Sequence, residues 1–421
     1  MTGRIEKLMR PLMHTSREFF PFIGLLAVIS GVAIYGYVLQ LTQGLGVTGL
    51  NDVTIWGIYI VNFIFFIGIS HAGIAISATV RLMKLHRYHK IARIAELLTI
   101  VSLAMAGLSI VIDLGRPDRS YLLVTQYLKR FKFSPLTWDI TAVGTYLTLS
   151  ATYLYLTLRQ DFKLLSERFT GLRGKFYGML IPLYEVGEKA TIDRLSFWLS
   201  VTILPIMVMV HTTVAWIFAL LGSRPLWFTA FAGPYYIVAA VASGLGSVVV
   251  IAAVMRRIYH WEDIIEPMVF KGLANISMLT TLIYIYMMMA EQIGALYAGP
   301  EAEFLVSYEW IFGSFSGLFW GMTTLGLILP FSFLLWQAFK PGYVHIEGSA
   351  VACTILVIAF WFKRYMIIVP TLSIGIQQVG IYAPSWVEIA IMLGAFAIPI
   401  LMYAIITKIV PLIELEEEET H

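Results

Sequence analysis

Five ionisable side chains stand inside stretches that are otherwise apolar: His71, Glu96, Asp113, Asp139 and His211. Carrying a charge to the centre of a bilayer costs at least about 2.5–3.5 kcal/mol, so an ionisable residue there is a functional candidate by default. These types suit proton chemistry. A hydrophobic hydroquinone gives up two protons with its two electrons, so its site needs neutral-to-basic acceptors near both ring oxygens. A histidine and carboxylates held in the membrane meet that need.

Each candidate also has a plainer reading. His71 has Gly68, Ala72 and Ala75 near its own helical face, which leaves space beside the ring, and Ser70 and Ser77 add hydroxyls. A lone histidine in a membrane helix is equally a hydrogen-bonded packing residue, and the same holds for His211. Asp113 ends one apolar run and Asp139 begins the next, so both acids and Arg116 fall at a similar depth. That grouping is either a site or a salt bridge, Asp113 or Asp139 with Arg116 or Arg119, pinning a tight turn.

The elements that position these groups follow from composition. The 421 residues are 59% hydrophobic and 13% charged, with mean hydropathy +0.80, far more apolar surface than a soluble interior can hold. Runs long enough to cross a core of about 30 Å cover 20–41, 53–80, 94–114, 134–158, 195–221, 234–255, 272–297, 308–339, 349–362 with an extension toward 369, and 386–409. The expectation is an all-α polytopic protein of about ten spans. Trp56, Tyr121, Trp138, Trp227, Trp310, Trp386 and Tyr403 lie near span ends, where amphipathic rings prefer the headgroup layer.

Of the 29 Lys and Arg, 21 fall on one side and 8 on the other, which places both termini in the cytoplasm. One loop on the poorer side departs from the pattern, with Arg116, Arg119, Lys129, Arg130 and Lys132 together. Residues 1–19 alternate basic and apolar side chains, as a surface-lying amphipathic helix or a simple positive anchor would. No short apolar core with a small-residue cleavage site is present there, so the first span is expected to be retained. The organisation read from this pattern is that segment, a front bundle over 20–158, a basic connector over 159–194 interrupted at Gly171, Gly174, Pro182 and Gly187, a back bundle over 195–409, and an acidic tail over 410–421. Gly313, Gly317 and Gly321 have the spacing of close helix packing. Cys353 is the single cysteine, so neither a disulfide nor a thiolate-held iron–sulfur cluster can be built from this chain. There is no internal repeat, phosphate-binding glycine loop or paired metal-ligand motif.

The string Trp56-Gly57-Ile58-Tyr59-Ile60-Val61-Asn62-Phe63, continuing through Gly68-Ile69-Ser70-His71-Ala72-Gly73 to Arg81-Leu82, resembles the signature helix of the NrfD/PsrC membrane subunits. Arg93-Ile94-Ala95-Glu96, Asp113-Leu114-Gly115-Arg116-Pro117 and Ser134-Pro135-Leu136-Thr137-Trp138-Asp139 follow in the family's order. Looser echoes are Val210-His211-Thr212 and Trp361-Phe362-Lys363-Arg364-Tyr365. The resemblance implies two four-helix bundles with a helix at each end, in the cytoplasmic membrane of a prokaryote. It also implies a quinone-reactive subunit of a respiratory complex, with a preference for a Dsr-type sulfur-respiration complex.

By resemblance, menaquinone or ubiquinone binds among His71, Asp113, Arg116, Asp139 and Tyr146, with His71, Asp113 and Asp139 in the proton chemistry. Glu96, His71 and His211 form a proton path, and no haem or iron–sulfur cluster is expected in this chain. The expected partners are a ferredoxin-like iron–sulfur subunit docked on Arg119, Lys129, Arg130 and Lys132, further subunits such as a cytochrome, a reductase or a second membrane subunit, and lipid, but no nucleic acid. Two competitors remain. A proton- or ion-coupled transporter would also use buried acids and the helix-interrupting Pro205 and Pro330, and a b-haem anchor would use His71 and His211 as axial ligands.

Overall fold

The computed structural model describes residues 2–182, 189–374 and 382–415, with side chains from Ile5 onward. Gly187 of the connector and Glu416–Glu419 of the tail lie outside the described residues. The helices in chain order are α1 (Thr2–Leu8), α2 (Arg10–Met13), α3 (Phe19–Gln43), α4 (Ile58–Leu82), α5 (His89–Asp113), α6 (Tyr121–Thr125), α7 (Tyr127–Arg130), α8 (Pro135–Arg168) and α9 (Gly171–Met179). They continue with α10 (Lys189–Ala219), α11 (Ala232–Ile258), α12 (Pro267–Ala298), α13 (Glu301–Ile311), α14 (Ser316–Gly321), α15 (Leu329–Ala338), α16 (Ile346–Ser373) and α17 (Trp386–Ile406). A π-helical turn over Met322–Ile328 joins α14 and α15 into one rod. Among the described residues the protein is all-α, and nine of its helical rods are long and apolar enough to cross a membrane. The protein is a multi-pass membrane protein.

The remaining expected span is α8. Its 34 residues extend about 51 Å, but frequent Thr, Ser and Tyr side chains along its apolar stretch make it too polar to qualify by composition. It packs instead as one wall of a ring, α4–α5–α8–α10, whose neighbours close on one another. A second ring is α11–α12–α14/α15–α16, and α3 pairs with α17 against α4 and α5. The connector after α8 therefore joins two walls of the front ring, so that ring reaches Ala219 instead of stopping at residue 158. Helix α4 is buried on almost every side, because α5, α10, α11 and α16 all pack on it. Its apolar side chains point in every direction, which only an enclosed helix tolerates.

Several sequence expectations change. The apolar side chains of the segment before α3 are docked on protein. Leu8, Met9 and Leu12 are buried, Lys7 pairs with Asp263 at 2.6 Å, and Trp261 Nε1 donates to the Lys7 carbonyl at 3.0 Å. Trp227, Trp310 and Tyr403 are buried inside the bundles, so they are core residues and do not belong to an interfacial belt. The eighth span begins at Ser316, after the separate helix α13, and no neighbour approaches Gly317 or Gly321 within 4 Å. The close contact in that rod is Gly326 on Ala359.

At the end of the rings remote from the termini, α17 opens with a capping box. Glu388 is fully buried, with Oε2 accepting from Ser385 N at 3.0 Å and Gly49 N at 2.6 Å and Oε1 from the Tyr382 hydroxyl at 2.7 Å. These bonds fasten the α3–α4 loop to α17. They complete the orphan donors of the helix start with a carboxylate in place of water.

Candidate functional site

The front ring closes at mid-depth on two histidines from different helices. His71 of α4 and His211 of α10 have ring centroids 4.4 Å apart, and both are buried. His71 Nδ1 lies 2.6 Å from the Ile67 carbonyl and Nε2 lies 2.8 Å from the Met207 carbonyl. A neutral imidazole donates from one nitrogen only, whereas an imidazolium donates from both. Each ring nitrogen thus has an acceptor in reach, and the second hydrogen bond forms only when the ring is protonated. Tyr146 of α8 stands beside it at 5.6 Å and donates to the Ser70 carbonyl at 3.2 Å. The packing reading of His71 is thus met in part, whereas His211 has only a poorly formed contact, to the Tyr236 backbone.

The same distance removes the haem reading of this pair. Metal–nitrogen bonds of about 2 Å place two axial imidazole centroids roughly 6 Å apart, with the macrocycle between them. At 4.4 Å and a 69° interplanar angle there is no room for one.

Sequence reading gave no role to two residues at this centre, which it carried only within the looser echo Trp361-Phe362-Lys363-Arg364-Tyr365. Lys363 and Arg364 were counted to the far side as loop charges, yet α16 runs unbroken through both and buries them to 1% and 4% exposure. Arg364 fills the notch left by Gly68, where an added Cβ would stand 2.3 Å from its Nη2. The space at Gly68 therefore belongs to this guanidinium and not to the His71 ring. Lys363 stands over the Trp310 ring at 4.6 Å, and its ammonium has no hydrogen-bond partner. The sequence did hold a signal, since two adjacent cations interrupt an apolar run without a Gly or Pro to turn the chain.

The carboxylates are spread along the membrane normal. Asp113 ends α5 near Tyr59 and Glu388; Glu388 bears on it electrostatically, and it bears in turn on Tyr59. Tyr59 precedes His71 by twelve residues of one helix, about 18 Å of rise, so one quinone head group cannot touch both Asp113 and His71. Asp139 lies seven residues before Tyr146 on α8, about 10 Å nearer the far end. Asp113 Oδ1 and Asp139 Oδ1 are both buried without a hydrogen-bond partner. On the other side of His71, Glu96 accepts a short hydrogen bond from Ser77, whose hydroxyl also contacts Tyr153 at 3.1 Å. Glu96 Oε2 is unpartnered. Arg93 pairs with Asp161 one turn lower, and the Asp161 Oδ1 accepts from Leu415 N at 2.9 Å, tying the chain's end to the front ring.

Arg116 meets neither acid. It is exposed and bonds Asp118 through two 3.0 Å contacts, and that hydrogen bonding holds the Asp118 carboxyl below its usual range. The turn-pinning ion pair is therefore internal to the loop, and Arg116 is not placed to line a membrane pocket. Arg119, Lys129, Arg130 and Lys132 are exposed and form no ion pair among the described residues. Beside them Val124, Leu128 and Phe133 are 79%, 91% and 78% exposed, so the loop presents a basic surface with apolar points.

The fold and these side chains define a multi-helix membrane protein with ionisable groups buried inside its front ring. Residues 46–376 match the family model of polysulphide reductase NrfD, and the chain belongs to that family. It is similar to a putative dimethyl sulfoxide reductase membrane subunit of Halobacterium salinarum, 27% identical over 93% of this chain and 91% of the relative. It is likewise similar to a selenate reductase subunit of Mesobacillus selenatarsenatis, 24% identical over 96% of each. An Hdr-like menaquinol oxidoreductase integral membrane subunit of Archaeoglobus fulgidus is 24% identical over 84% of this chain and 80% of its own length.

Proposed function

We propose that the chain is the quinone-reactive membrane subunit of a respiratory oxidoreductase complex, exchanging electrons between membrane quinol and an iron–sulfur partner. The observation that carries this reading is Asp139, a buried carboxylate with an unpartnered oxygen, lying between the basic loop and the Tyr146–His71 pair. The names of the relatives, which include a menaquinol oxidoreductase subunit, support the same class. Menaquinone or ubiquinone supplies the two-electron, two-proton chemistry when bound.

The residues fit such a group. Asp139 and Asp113 offer free carboxylate oxygens near the end that carries the loop, and either accepts a proton when a quinol hydroxyl gives one up. Tyr146 and His71 stand deeper, where His71 receives a proton and holds it between two carbonyls. His211 lies beside it. Glu96 continues the track toward the termini end, about 9 Å of helix separating Ser77 from His71. We place that end in the cytoplasm of a prokaryote, on the distribution of basic residues. Proton movement along this line makes turnover electrogenic. Glu96→Gln is then expected to leave quinol oxidation within about threefold of wild type while abolishing membrane-potential generation in proteoliposomes; an unchanged potential would remove Glu96 from the path.

The loop supplies the docking surface. A ferredoxin-like iron–sulfur subunit with an acidic face would meet Arg119, Lys129, Arg130 and Lys132, with steering by charge and anchoring by the exposed apolar side chains. The test is purification from native membranes in mild detergent. An iron–sulfur subunit, with a reductase, cytochrome or further membrane subunit, is expected to co-purify, and charge reversal at Lys129, Arg130 and Lys132 is expected to weaken its binding at least about tenfold. Recovery of the chain without redox partners would instead support an ion-coupled transporter.

A further inference from the structure

Arg364 keeps its charge at any pH a folded protein tolerates, and it is buried where the two rings of helices meet. Its Nη1 donates to the Phe360 carbonyl at 2.9 Å and its Nη2 to the Ser243 hydroxyl at 3.4 Å. Most of the guanidinium's five N–H groups are left without a protein acceptor. The ionisable groups that face it are the phenols of Tyr236 and Tyr284 and the imidazoles of His71 and His211. None of these is a carboxylate. Lys363, its neighbour in sequence, has Glu291 beside it, so the lack of a counter-charge is specific to Arg364. A buried ion without a partner is strongly disfavoured, and structures that hold one supply the opposite charge.

A small cavity adjoins the guanidinium, with His211, Tyr235, Tyr236, Tyr284 and Phe360 among its walls. It has space for about one water-sized species. The His211 ring lies against the Tyr236 backbone and the Tyr235 hydroxyl against that of Tyr284, but neither contact has the geometry of a well-formed hydrogen bond. A neutral imidazole carries one N–H, so an imidazole N–H, a phenol O–H and spare guanidinium N–H groups border one void whose walls hold no carboxylate. The void is too small for a quinone ring. A monatomic anion meets its charge and hydrogen-bond demand.

We propose that this cavity binds a single halide, chloride under ordinary conditions, held by Arg364, His211 and Tyr235. The anion neutralises a guanidinium that would otherwise repel a proton arriving on His71 or His211. It is a fixed element of the interface between the rings, distinct from the quinone and from the basic loop.

The test follows the melting midpoint of the protein purified from native membranes, in chloride, bromide and gluconate at equal ionic strength. A saturable rise with either halide over gluconate is expected, and crystals grown in bromide should show an anomalous peak beside the Arg364 guanidinium. Arg364→Gln should lose the halide dependence and melt in gluconate no lower than wild type, since the unpaired charge is gone. A wild-type midpoint equal in halide and gluconate overturns the proposal, and so does a cavity species without anomalous signal, which would be a water. Should Arg364→Gln fail to assemble, the wild-type titration and the bromide map still decide. Neither measurement uses quinone or a redox partner, so their failure is separate from failure of the electron-transfer reading.

Discussion

Asp139→Asn is expected to lower quinol oxidation by the assembled complex at least about 100-fold, the usual contribution of a positioned proton acceptor. Asparagine keeps the shape of the side chain, and Asp139 has no hydrogen bond from its buried Oδ1 to lose, so assembly and partner binding should be retained. What disappears is the ability to take a proton. The companion variant Asp113→Asn locates the site, because Asp113 lies at the level of Tyr59, about 18 Å from His71, whereas Asp139 is about 10 Å from the Tyr146 level. Loss of turnover in Asp139→Asn alone puts the reacting head group between Asp139 and Tyr146. Loss in Asp113→Asn alone moves it up beside Tyr59 and Glu388. Full turnover in both would remove the carboxylates from the chemistry and leave His71 to carry it. The pH profile adds a check that a merely structural effect would not reproduce, since the true acceptor's variant should lose the limb on which activity rises with pH.

The number and order of spans were legible because lipid exposure demands long apolar runs, and hydropathy reports that demand directly. His71, Glu96, Asp113, Asp139 and His211 were legible for the converse reason, that charge inside such runs is costly. Hydropathy does not report which face of a helix meets which neighbour. It therefore placed Gly317 and Gly321 in a helix contact when no neighbour approaches them, and it grouped Arg116 with Asp113 and Asp139 when Arg116 turns outward to Asp118. It also read Lys363 and Arg364 as the edge of a span, because two adjacent cations look like a loop until α11 and α4 are seen to enclose them. Proximity of His71 to His211 was not readable at all, since it depends on how α4 and α10 close the front ring.

Gly73→Ala is expected to abolish recovery of the monodisperse protein in detergent, the largest structural effect of any single methyl group in the front ring. Helices α4 and α5 touch most closely where Gly73 faces α5, and an added Cβ would stand 1.9 Å from the Ala95 carbonyl oxygen and 2.2 Å from Thr99 Oγ1. The carbonyl belongs to the α5 backbone and cannot rotate aside. Thr99 is held as well, its hydroxyl donating to the Ser70 carbonyl at 2.7 Å. Relief therefore requires the helices to separate, which withdraws Ser77 from Glu96 and opens the interior around Tyr153. Overpacking of an ordinary core costs about 1–3 kcal/mol, and a clash with fixed backbone on the most enclosed helix of the protein should exceed that range. Gly107→Ala is the control, for no neighbouring atom lies within 4 Å of its added Cβ, and it should melt with the wild type. Size-exclusion profiles and melting midpoints of the two variants decide the matter: a monodisperse Gly73→Ala protein that melts like Gly107→Ala would mean that α4 and α5 do not approach as closely as the structure has them.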